Sequence, residues 1–259
     1  MRITSEEFDR FYATPLGQVA EDVLRRKLSD AWGTCKGLRV AGFGYPHPLM
    51  PAFSEADHHV TMVPAAAGAV AARDEVLVEE GRWPLREASV DRLVIMHGLE
   101  ETPDPSALLR EAWRVLTDDG RLIIVAANRH GFWTLFENSP LAAGRAYSRG
   151  QLLRALGGAM FAPTAQAAAL YFPPIRQLRR LATLWEQTAE RLEPLSIPLP
   201  SVAGVELVEA RRSMAAPASG TKSEALSGIF AAGGRRVVGL AAERGGQKTT
   251  ARGQWRAVR

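Results

Sequence analysis

The chain is poor in cysteine. Of its 259 residues only Cys35 is one, so no disulfide forms within it. No Cys/His group has the spacing of a zinc site, and no metal is expected. Long apolar runs are missing too: no stretch approaches the ~18 consecutive apolar residues of a membrane helix. The first ten residues are charged and carry no apolar signal core. A reducing, cytoplasmic setting is the expectation, with no membrane contact. The chain also lacks excess charge of one sign outside its end. The formal net charge is +4, and Arg244, Lys248, Arg252, Arg256 and Arg259 against Glu243 account for all of it. A nucleic-acid-binding core needs a basic face on the folded part, so nucleic acid is not expected as a partner. The basic end reads as solvated chain.

What is present is an alternation of short apolar runs and helical patterns. Thr4 and Glu7 form a capping-box signature before Phe8, Phe11 and Tyr12. After Pro15, apolar residues from Leu16 to Trp32 recur at helical spacing. Leu38 to Phe43 reads as a first strand, His59 to Val63 as a second stopped by Pro64, and Glu75 to Glu79 as a third. Ala65 to Arg73 is a candidate helix between the second and third. Asp91 to Met96 reads as a buried fourth strand. Asp104-Pro105 then gives an N-cap and an N1 proline for a helix that Asp119-Gly120 ends. Leu122 to Ala127 is the most strand-like run. Further on, Ser148 to Leu156 reads as a helix, Ala165 to Phe172 as a strand and Gly204 to Met214 as a last strand. A helical pattern also runs from Pro173 to Leu192. Strands alternating with helices at this spacing predict a parallel sheet with helices on both faces.

One segment carries a family signature. Glu79-Glu80-Gly81-Arg82-Trp83-Pro84-Leu85 leads into Asp91-Arg92-Leu93-Val94-Ile95-Met96-His97-Gly98-Leu99-Glu100. It continues through Asp104-Pro105, Leu108-Leu109-Arg110-Glu111, Arg114-Val115-Leu116, Asp119-Gly120-Arg121-Leu122 and Asn128. This run resembles the type 11 group of class I S-adenosylmethionine-dependent methyltransferases. The resemblance implies an α/β fold with a Rossmann-like seven-stranded sheet, mostly parallel with an antiparallel last strand, and helices on both faces. The resemblance covers a methyltransferase-like domain at 37–215; residues 1–36 read as a helical segment, and 216–259 as a small-residue-rich basic extension that is partly disordered.

The same resemblance implies S-adenosyl-L-methionine as cofactor, a small-molecule acceptor and a role as a methyltransferase. Its cofactor contacts map onto Gly42, Phe43, Gly44, Pro64, Ala65, Glu79, Trp83, Met96 and His97, with His97 the candidate base. Glu79 would meet the adenine amine and Trp83 the adenine ring. Glycines at 42 and 44 suit a turn that lets backbone approach a ligand. Departures are equally specific. The family's first motif is acidic-x-Gly-x-Gly-x-Gly, whereas here Val40 stands at the acidic position and Pro46 at the third glycine. Pro64 stands where a carboxylate meets the ribose. Losing such a carboxylate forfeits charge-assisted hydrogen bonds of ~1.5–3 kcal/mol each. Hence a second expectation: an inactive relative that binds a protein partner or a second copy of itself. A nicotinamide-dinucleotide site is not expected, since His47 replaces the last glycine of Gly-x-Gly-x-x-Gly.

Other residues have weaker claims. Arg129 and His130 follow the fifth strand at the edge where such sheets bind ligands. Trp133, Phe136, Tyr147, Tyr171 and Phe172 suit an apolar lid or plain packing. Glu100-Glu101 reads as a loop charge pair rather than a catalytic dyad, and His58-His59 has no metal role.

Overall fold

A computed structural model describes residues 3–65, 71, 74–136, 139–142, 144–174, 186, 202–213 and 256–257. The expected helices at 65–73 and 173–192 fall mostly outside these residues, as does almost all of the basic extension.

The N-terminus folds as two short helices because each has its own cap. Thr4 accepts from the Glu7 amide and Glu7 bonds back to the Thr4 amide, closing the box that starts α1, Ser5–Tyr12. Thr14 accepts from the Gly17 amide and Pro15 fills the first turn of α2, Pro15–Trp32. Gly33, at φ 63°, ends it.

Among the described residues eight strands follow: β1 Arg39–Gly44, β2 His58–Pro64, β3 Glu75–Val78, β4 Val90–Met96, β5 Leu116–Ala127, β6 Phe161–Ala169, β7 Val205–Arg212 and β8 Arg256–Ala257. They form one sheet in the order β3-β2-β1-β4-β5-β7-β6-β8. The first five in that order are parallel. β7 runs antiparallel between β5 and β6, as the sequence implied for the last strand. β8, from the basic extension, adds a two-residue antiparallel pairing on β6.

Helix α3, Pro105–Val115, starts at Asp104, whose carboxylate accepts from the Ser106 and Ala107 amides. It stops at Val115, four residues before the expected stop. Asp118 to Gly120 instead belong to β5. The register between β4 and β5 shifts there, so the turn-like residues sit in an irregular strand start. Helix α4, Arg149–Gly158, starts from a Ser148–Gln151 capping box. β6 begins at Phe161, four residues earlier than the expected strand, and Leu170 at φ 63° lies just past its end.

Side chains alternate across the sheet with period two. Val94, Met96, Ile123 and Val125 face α1 and α2. Leu93, Ile95, Leu122 and Ile124 face α3 and α4. Helices therefore cover both faces. The carboxyl ends of β1 and β4 meet at the Gly44–Met96 pairing. Ligands of open α/β sheets bind at this edge, and α1 lies across it.

Candidate functional site

Gly44 has φ 93°. A Cβ there would sit 2.7 Å from the Gly98 amide nitrogen. Glycine is thus required so that β1 and the turn after β4 can meet backbone to backbone. Gly42 is used differently. A Cβ on it would lie 2.6 Å from Cγ of Pro46 and 3.0 Å from Sδ of Met50. The proline at the third motif position therefore folds back onto the first glycine.

Between these points Tyr45 is 5% exposed. Its amide donates to the Met96 carbonyl at 2.7 Å, and its hydroxyl donates to Asp9 of α1. Burial, with that bond second, raises the Tyr45 phenol well above its ordinary range. Phe8 of α1 stacks on Tyr45 with centroids 4.8 Å apart and on His97 at 4.6 Å. Tyr12 stacks on Tyr45 at 5.6 Å, and its hydroxyl shares a hydrogen bond of 2.9 Å with His97 Nε2. Offset ring stacks of this kind contribute about 0.5–1.5 kcal/mol each beyond area burial. His47 tilts over Tyr45 at 5.0 Å and pairs with Glu75 of β3.

His97 follows β4 at φ 56°, 4% exposed. Burial pulls its pKa down to about 3, so the imidazole is neutral. Its Nδ1 lies 4.0 Å from Oε1 of Glu100. Glu100 is buried, and burial raises its carboxyl to about 7. Oε1 accepts the Ala127 amide at 2.8 Å, whereas buried Oε2 has no hydrogen-bond partner.

The structure thus brings Gly42, Phe43, Gly44, Met96 and His97 to one edge and keeps the adenine candidates apart. Glu79 is exposed and bridges to Arg82 at the end of β3. Trp83 is 3% exposed and stacks on Phe43 at 5.1 Å in the α3-side core. Its amide donates to Glu111 at 2.7 Å. Pro64 is half-buried and Ala65 exposed at the end of β2. Val40 is buried in the core on the α2 side. Arg129 and His130 are exposed. Trp133 is buried and donates to the Phe172 carbonyl at 2.7 Å, while Tyr147 donates to the Leu99 carbonyl. No group of three metal-ligating side chains occurs among the described residues.

Three participants were not legible as such. Glu100 looks like a loop charge, and nothing local announces its burial. Phe8 and Tyr12 read as one face of a short helix, without a hint of what they cover.

The mostly parallel sheet, ordered β3-β2-β1-β4-β5-β7-β6 and with β7 reversed, fits the mostly parallel sheet with an antiparallel last strand that the resemblance implied, and residues 41–124 match the family model described as a methyltransferase domain, type 11. Over those residues the chain is similar to a methyltransferase domain of the type 11 group. Solved structures agree on the fold. An S-adenosylmethionine-dependent methyltransferase from Thermotoga maritima is 16% identical with a TM-score of 0.53, over 80% of this chain and 95% of its own. A chain from the complex between the Trm112 methyltransferase activator of Haloferax volcanii and a methyltransferase is 16% identical with a TM-score of 0.55, over 82% and 99%. No curated protein matches the chain in sequence.

A methyltransferase of this family implies S-adenosylmethionine, and this chain's residues do not fit it in the arrangement described. Val40 and Pro64 offer no anion to the ammonium or the ribose. The Pro46 ring covers Gly42, Tyr45 takes the Met96 carbonyl, and the rings of Phe8, Tyr12 and Tyr45 pack over the edge.

Proposed function

We propose that this methyltransferase-fold chain transfers no methyl group and serves as a subunit that binds a protein partner. The observation that carries this reading is the self-occupied edge: both glycines of the first motif are used by the chain's own atoms, and α1 closes what remains. Two apolar surfaces suit partner contact. Phe132, Leu135 and Phe136 after β5 are exposed, Leu135 to 74%, and so are Val76 and Leu77 on β3. A reducing cytoplasm suits the single buried thiol, Cys35.

The test is calorimetric titration of the full chain with S-adenosylmethionine and with S-adenosylhomocysteine. The expected result is no binding at millimolar ligand. A dissociation constant below about 100 μM, near −5.5 kcal/mol, overturns the reading.

A second reading has its own support. The cover is one eight-residue helix, and Glu79 keeps its exposed place at the end of β3. With α1 displaced, the chain would act as a methyltransferase on a small molecule. Methyl transfer to a panel of small-molecule acceptors, seen only when α1 is destabilised, would favour it.

A further inference from the structure

Helix α1 contributes two things to the sheet edge that a ligand could contribute instead. One is an aromatic face, Phe8, stacked within 22° of parallel on both Tyr45 and His97. The other is a hydrogen-bonding group, the Tyr12 hydroxyl on His97 Nε2. Beneath them lies an acceptor that α1 does not satisfy. Glu100 is 6% exposed and its Oε2 has no hydrogen-bond partner. An unsatisfied buried acceptor costs free energy that an incoming donor recovers. Glu101 is next to it, and the Ile3 amide, at the start of α1, donates to Glu101 Oε2 at 3.3 Å. Removing α1 therefore uncovers the Tyr45 and His97 ring faces, with Glu100 Oε1 4.0 Å from His97 Nδ1 and Glu101 next in the chain.

The helix is capped separately from α2. Thr4 caps α1 and Thr14 caps α2, with only Ala13 and Thr14 between the helices. Its links to the sheet edge include the ring stacks, the edge contact of Phe11 with Trp133, the Tyr12–His97 and Asp9–Tyr45 bonds and the Ile3–Glu101 bond. The recess itself stays anchored without α1: the Tyr45 amide holds the Met96 carbonyl, and the Ala127 amide holds Glu100 Oε1.

We propose that α1 is an internal stand-in for a ligand, and that the Tyr45–His97–Glu100 recess binds a planar aromatic ring carrying a protonated amine. The ring takes the place of Phe8 on Tyr45 and His97. The ammonium donates to Glu100 Oε2 and is attracted by Glu101 and by the ring faces. Binding favours the ionised form of Glu100, whose buried carboxyl is otherwise only partly charged near neutral pH, and releases α1 from the edge. This needs no methyl transfer and holds under either reading of the cofactor site. The cofactor titration is a separate measurement, so either idea fails without the other.

The probes are tyramine, which has both ring and amine, and p-cresol, which has the ring alone. In the wild-type chain, millimolar tyramine is expected to speed amide hydrogen exchange across Phe8 to Tyr12, with p-cresol much less effective. Phe8→Ala removes the competing ring and is expected to bind tyramine at least tenfold more tightly than wild type. Glu100→Gln is expected to lose most of the preference for tyramine over p-cresol. Unchanged α1 exchange with tyramine overturns the proposal. So does a Phe8→Ala variant that binds p-cresol as well as tyramine, because it then holds only an apolar cavity. Should Phe8→Ala fail to fold, the wild-type exchange comparison decides.

Discussion

Single residues decide how tightly the edge closes. Gly44 combines φ 93° with backbone neighbours too close for any side chain. Gly44→Ala should therefore lower unfolding stability by more than about 3 kcal/mol, from a left-handed residue plus a backbone clash. Urea denaturation measures it. Glu100 gives a prediction of opposite sign. Its folded pKa is about 7 against an ordinary 4.5, so the folded chain holds the extra proton between those values. Its stabilising contribution is full below about pH 4.5 and is lost as pH rises to 7. Glu100→Gln cannot ionise and keeps an acceptor for the Ala127 amide. Relative to wild type, the variant should gain about 3 kcal/mol between acid and pH 8. The difference between the two chains is the proper readout, because His97 works against Glu100. With its pKa held at about 3, His97 costs stability as pH falls below 6.5. Thermal unfolding of both proteins across pH checks this; parallel profiles would refute the burial of Glu100.

At the scale of elements, α1 is short, and isolated helices of this length are marginal in water. It persists because its caps are good and three aromatic side chains are buried beneath it. Thr4→Ala should cost about 1 kcal/mol. Hydrogen exchange of the α1 amides should speed about fivefold, while amides in β4 and β5 should not change. Helix α3 hangs on a different cap: Asp104 accepts two amides at 3.0 and 2.9 Å. These local devices were legible because capping is written within three or four residues. Boundaries were less so. Asp119-Gly120 looks like a helix stop, yet the chain leaves the helix at Leu116. The side chains of Leu116 and Val115 are wholly buried on the α3 side, and that burial outweighs the local turn preference.

Across the whole molecule, β7 joins what the sequence separates. Arg212 at its end places its guanidinium 3.8 Å from the Trp113 ring centroid and donates to the Leu116 carbonyl at 2.6 Å. It is 8% exposed. Arg212→Ala should cost about 2–4 kcal/mol in urea unfolding, from lost packing, a lost charge-assisted bond and a cavity. Glu209 of the same strand accepts from the Trp32 indole at 2.8 Å and from Arg121 at 3.1 Å. It thus ties α2 to β5 and β7.

The sequence by itself determined the alternation of strands and helices, the caps, the run from Glu79 to Asn128 and the absence of acidic groups at positions 40 and 64. Those features are local, set by side-chain periodicity and by hydrogen bonds a few residues apart. Tertiary structure alone decided what occupies the sheet edge. Phe8 reaches His97 from 89 positions away in the chain, and Glu100 is buried where the Ala127 amide meets its carboxylate and the Arg145 amide its backbone carbonyl. Whether a glycine turn faces a ligand or the protein's own rings depends on such distant packing, and local sequence carries no record of it.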